Sequence, residues 1–134
     1  MSFLRRVLVL STAAMVGATA WGHHSFAMFD LDRQVTVQGT VKELQWANPH
    51  VWLQVSVPDG KGSVTEWSFE MGATGMLTRT GWKRNTLKPN DKVTVVMNPL
   101  KSGGPSGRLV RVTLPDGRVL GPGGPAPPLP VKSQ

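Results

Sequence analysis

The sequence predicts an all-β fold with one short helix, a five-stranded OB-like Greek-key barrel in the order β-β-β-α-β-β. Three observations carry this. Five segments alternate apolar and polar residues with the period of two that a half-buried strand requires. The first of them is long and has Gly39 at its centre, as when one strand serves both sides of a small barrel. A single helix-like stretch lies between the third and fourth segments, where an OB-fold carries its helix. An open five-stranded sandwich is the main alternative.

The first strand covers residues 34–44, with Val35, Val37, Gly39 and Val41 against Thr36, Gln38 and Thr40. Gly39 reads as a bulge or a sharp bend. Residues 50–57 form the second. Val51, Leu53, Val55 and Val57 share one face, and His50, Trp52, Gln54 and Ser56 share the other. Pro58-Asp59-Gly60 is a turn, so residues 63–70 return as the third strand of a hairpin. Thr65, Trp67 and Phe69 are on one face, and Glu66, Ser68 and Glu70 on the face of Trp52.

From Gly72 to Gly81 the pattern fits a helix. Thr74 is its candidate N-cap, Met76 and Leu77 are its apolar contacts, and Gly81 is its stop. Leu87-Lys88-Pro89-Asn90-Asp91 makes a turn into a fourth strand with Val93, Val95 and Met97. Residues 99–107 read as a mobile linker rich in Gly, Pro and Ser, and residues 108–114 as the fifth strand. Pro115-Asp116-Gly117 then turns into a short Arg118-Val119-Leu120 extension. Residues 121–134 carry repeated Pro and Gly with few apolar groups and read as a disordered tail.

The chain of 134 residues suggests one domain. Its organisation reads as a signal peptide at 1–20, an extended segment at 21–33, the barrel at 34–120 and the tail at 121–134. Arg5 and Arg6 form a positive n-region, Val7 to Val16 an apolar h-region, and Ala18-Thr19-Ala20 a small-residue cleavage pattern. The apolar run is shorter than the roughly 20 residues of a membrane span, so no stable span is expected after processing. These signs predict a periplasmic or secreted protein. There is no cysteine, which excludes disulfides and thiolate chemistry. Residues 21–78 carry three basic and six acidic side chains, and residues 79–134 carry ten basic and two acidic. This asymmetry can attract a polyanion or an acidic partner, although scattered basic residues are more often a solvated face.

The ligand chemistry lies in two places. His23 and His24 fall where a mature N-terminus would begin. Cleavage after Ala20 leaves Trp21-Gly22-His23, whose amine, amides and imidazole can wrap Cu(II) or Ni(II) in a square plane. Cleavage after Gly22 makes His23 the first residue, and its amine and imidazole then chelate together. His50 starts the second strand on the expected binding face. It meets His23 or His24 if Phe26 and Phe29 pin the lead-in segment across the barrel. Met28 or Asp30 can add a ligand. The plainer reading gives a solvated His23 and His24, and a His50 that fixes the Asn48-Pro49 turn.

Trp46, Asn48 and Trp52 frame that turn and form the candidate ligand or partner surface. Exposed aromatics there can stack on bases or sugars, though packing is the commoner role. Glu66 and Glu70 on the same face repel phosphates and argue against nucleic acid. The two carboxylates are roughly 13 Å apart along one strand, beyond the reach of a glycosidase pair. Ser25 beside His24 has no orienting acid, and no phosphate-cradling loop is present, so no enzyme is expected.

The stretches His23-His24-Ser25-Phe26-Ala27-Met28-Phe29-Asp30, Gly39-Thr40-Val41, Trp46-Ala47-Asn48-Pro49-His50-Val51, Gly81-Trp82, Leu87-Lys88-Pro89, Asp91-Lys92-Val93 and Leu114-Pro115-Asp116-Gly117-Arg118 together resemble a family of secreted bacterial proteins, domain-of-unknown-function family 6152. The resemblance spans residues 23–120. It implies an exported single domain and brings no activity, substrate or ligand with it. The functional expectation therefore comes from the residues: a small exported barrel that binds a metal ion, copper first and zinc or nickel second, through His23, His24 and His50. The alternative is a module that grips another periplasmic protein or an anionic envelope polymer.

Overall fold

The structure, a computed structural model, describes residues 26–128. The expected signal peptide, His23, His24 and residues 129–134 lie outside them. Five strands close into a barrel: β1 (Val35–Gln45), β2 (Trp52–Pro58), β3 (Val64–Glu70), β4 (Lys92–Pro99) and β5 (Ser106–Thr113). One short helix, α1 (Thr74–Arg79), stands between β3 and β4. The barrel runs β1-β2-β3-β5-β4 and back to β1, with antiparallel pairs except for the parallel closure of β3 on β5.

The long first strand makes that closure possible. Its first half, Val35–Thr40, pairs with β4, and its second half, Thr40–Gln45, pairs with β2. Gly39 sits at the handover because a side chain there would collide with the Ser56 backbone and Val55 of β2. The expected bulge at Gly39 lies further on, between Val41 and Glu43. Close approach of β2, rather than an extra residue, is what requires glycine at this position.

Alternation places Val51, Leu53, Val55, Phe69, Val95, Met97, Leu109 and Val112 in one core, all of them buried. The Trp67 and Phe69 rings stack with centroids 6.2 Å apart. Each fully buried side chain of this kind contributes about 1.5–3 kcal/mol.

Helix α1 joins the core through Leu77, which has no exposure, whereas Met76 is 42% exposed. Only one of the two expected apolar contacts thus enters the core. The helix ends in a Schellman arrangement. Trp82 N–H donates to Leu77 O at 3.0 Å, and Gly81 N–H donates to Thr78 O at 3.2 Å. Gly81 supplies the left-handed φ of 95° that this cap requires. Leu77 and Trp82 are both fully buried beneath it.

Three expectations need correction. Ala73, not Thr74, occupies the N-cap and has no capping side chain. The Asn48 Oδ1 atom caps from outside instead, accepting from Thr74 N–H and from Thr74 Oγ1, each at 3.0 Å. Residues 99–107 are a hydrogen-bonded hairpin turn rather than a loose linker. Gly103 N–H donates to Leu100 O, Leu100 N–H to Ser106 O, and Ser68 N–H to Pro105 O. Gly103 and Gly104 provide its positive φ angles.

The third correction concerns the tail. Residues 121–126 are built into the sheet through β6 (Val119–Gly121) and β7 (Gly124–Pro125). Their backbone, not their side chains, is what the fold uses. Trp82 Nε1–H donates to Gly121 O at 2.9 Å, and Thr80 Oγ1 donates to Pro122 O at 2.9 Å. A Cβ at Gly121 would stand 2.9 Å from Val110 O, so the close approach depends on glycine.

The turn into β6 is held by Asp116, which accepts from Arg118 N–H and from its guanidinium at 2.7 Å. The backbone bond first, and the guanidinium second, keep this exposed carboxyl below its ordinary value. Its small contribution is present above the ordinary carboxylate pKa and is lost as pH falls through the lowered one. Among the described residues no helix is long and apolar enough to cross a membrane.

Candidate functional site

The outward face of β1, β2 and β3 is largely occupied by its own polar ladder. Lys42 pairs with Glu66 at 2.6 Å. Gln54 Nε2 donates to Gln45 Oε1, Gln45 Nε2 to Glu43, and the Ser68 hydroxyl to Gln54 Oε1. Trp52 is half-buried and stands opposite Glu70 on β3 and Gln45 on β1. Trp46 packs against the core cluster, so its ring is part of the barrel wall. Asn48 uses its side-chain oxygen on α1. Of the expected partner surface, Trp52 is left at the edge of the ladder.

His50 lies just beyond Trp52 at the same end of this face, after the cis Asn48–Pro49 peptide bond. The strand carries on through it: Val51 N–H donates to Gly72 O, and Met71 N–H donates to Val51 O. His50 Nδ1 is thereby 3.0 Å from Met71 O and 3.2 Å from the Glu70 carboxylate. Both neighbours are acceptors, so Nδ1 carries the proton. In the neutral ring the lone pair is then on Nε2. Metal-ligating histidines have this environment, with a carboxylate or carbonyl that fixes the tautomer and raises ligand basicity. The Glu70 side chain is 8% exposed and the His50 side chain 37%. The carboxylate is a buried support and the imidazole is its accessible end.

His50 and Glu70 line a cavity of about 210 Å³, together with Phe26, Phe29, Met76 and Arg108. Two larger hollows, of about 440 and 490 Å³, lie elsewhere and hold no histidine. Size is a poorer guide here than donor chemistry.

The lead-in segment reaches this cavity. Phe29 is 2% exposed and bridges to Leu100. Asp30 N–H donates to Pro99 O at 2.8 Å, and Lys101 N–H to Met28 O at 2.9 Å. Asn98 Nδ2, buried, donates to Arg33 O at 2.8 Å and Leu31 O at 3.3 Å. Phe26 is exposed, but the Arg108 guanidinium lies 4.6 Å from its ring centroid. Both expected anchors are thus attached to the barrel, Phe29 by burial and Phe26 by a cation–π contact of about 0.5–1 kcal/mol.

His24 precedes Phe26 by two residues and His23 by three. Both lie outside the described residues. Among the described residues no group of three or more His, Asp or Glu side chains forms a metal site. Of the three histidines expected as ligands, His50, with Glu70 behind it, is the one that lies among them.

The family model for DUF6152, described as a family of unknown function, matches residues 11–109. The chain belongs to DUF6152. In this DUF6152 chain the match takes in the His-His-Ser-Phe and Asn-Pro-His stretches and ends before Leu114–Arg118. Neither a curated protein nor a solved structure gives a match.

Sequence reasoning missed two members of the site. Glu70 read as one carboxylate of an exposed outward row. Counting back from the Pro58-Asp59-Gly60 turn sets Trp52 opposite Glu70, which was the available signal for a carboxylate near His50. Arg108 had no such signal, because it arrives through the parallel closure of β3 on β5 opposite Glu70.

Proposed function

We propose that this protein is an exported copper-binding protein that carries or buffers the ion rather than turning over a substrate, with His23, His24 and His50 as its ligands. One observation supports the reading above the rest. His50 presents a ring whose Nδ1 is committed to Glu70 and Met71 O, in a cavity whose wall includes Phe26, two residues from His24. The imidazole set suits copper first, and zinc or nickel after it. Export rests on the Arg5-Arg6, Val7–Val16 and Ala18-Thr19-Ala20 pattern of the N-terminus.

Mass spectrometry of the mature N-terminus followed by Cu(II) titration tests this. The wild type is expected to bind one ion, and His50→Ala to bind it more weakly. Unchanged affinity in His50→Ala reduces the site to a terminal chelate. Absence of copper binding, with salt-sensitive binding to an anionic polymer, favours an interaction module that uses the basic second half of the chain.

A further inference from the structure

We propose that the cavity beside His50 holds copper as Cu(I), with the Met76 thioether joining the His50 imidazole as a ligand. This rests on the copper reading above and adds an oxidation state and a sulfur donor to it.

Met76 is free of the core. Its helix neighbour Leu77 is fully buried and anchors α1, whereas Met76 is 42% exposed and lines the same cavity as His50. Its tip is seated by a glycine. A Cβ at Gly72 would overlap the Met76 methyl and lie 3.6 Å from its sulfur, so the absence of a side chain at 72 makes room for the thioether. Gly72 is also the residue whose carbonyl accepts from Val51 N–H. The seat of Met76 and the strand that presents His50 are thereby tied together.

Donor chemistry selects the ion. A thioether is a soft ligand and favours Cu(I), whereas Cu(II) prefers nitrogen and oxygen in tetragonal sets. Among the described residues no additional carboxylate or imidazole completes a three-donor set with His50 and Glu70. The cavity walls next to His50 are mainly apolar, with Phe29, Pro49 and Leu109 among them. The other described methionines provide contrast: Met71 also lines the cavity but is 4% exposed and packed in the core, Met97 is 1% exposed in the core, and Met28 is exposed but does not line this cavity.

The test is a pair of affinity measurements on the full mature chain. Cu(I) affinity is read anaerobically by competition with bicinchoninate, and Cu(II) affinity by competition with nitrilotriacetate. Wild type, Met76→Leu, Met28→Leu and His50→Ala are compared, with circular dichroism to verify folding. Met76→Leu is expected to weaken Cu(I) binding by about tenfold or more, as even loss of an outer partner can, and to leave Cu(II) unchanged. Met28→Leu is expected to alter neither. Equal Cu(I) affinity in wild type and Met76→Leu, with His50→Ala still weakening copper, overturns the thioether and leaves the copper reading standing. A wild type that binds neither ion overturns both.

Discussion

His50 Nδ1 stands 3.2 Å from the carboxylate of Glu70, and only the imidazole of this pair is substantially exposed. The relationship is directional. Glu70 and Met71 O hold the proton on Nδ1, and Nε2 is the atom left to act. The first prediction follows. Glu70→Gln preserves shape and a hydrogen-bond acceptor but removes the charge behind the ring. Copper affinity should fall by about 10–100-fold, as for other outer-shell partners of ligating histidines. Competition titration measures it.

The same pair predicts a stability effect. His50→Ala removes the partner of a buried carboxylate and an acceptor's donor at Met71 O. The expected cost is about 1–3 kcal/mol, read as a lower urea midpoint without change in slope.

Asn48 joins the turn before His50 to the start of α1. Asn48→Ala leaves Thr74 N–H and its hydroxyl without their acceptor. The loss should be about 1 kcal/mol, the usual cost of a missing cap, and should appear in chemical denaturation. Thr74→Ala removes only the hydroxyl and should cost less.

The last ordered strands carry a prediction that separates structure from composition. Truncation after Leu120 removes the acceptor of Trp82 Nε1–H and one acceptor of Thr80 Oγ1, which keeps Leu77 O. A buried indole N–H without a partner costs about 1–3 kcal/mol. The truncated protein should unfold at a lower urea concentration, and Trp82→Phe should reproduce part of the effect. A tail without structural role would give no change.

Much of the barrel was legible because strand alternation reports which side is buried. The inward set Val51, Leu53, Val55 and Phe69 follows from the period of two alone, and Gly81 marks the end of α1 because a left-handed residue is needed there. The tail was not legible for the opposite reason. Gly121 and Pro122 contribute carbonyls and close approach, which no apolar pattern reveals. The site divides in the same way. His50 was recognisable as a donor on the expected face. Its buried support, Glu70, looked exposed because alternation does not show what covers an outward position.

The most direct test of the central claim is the proton–nitrogen correlation spectrum of the mature protein during substoichiometric Cu(II) addition. A site shared by the N-terminal histidines and His50 predicts paramagnetic broadening of the Val51, Met71 and Gly72 amides along with those of the first residues. Broadening confined to the N-terminal residues, with the amides around His50 unchanged, would contradict the shared site.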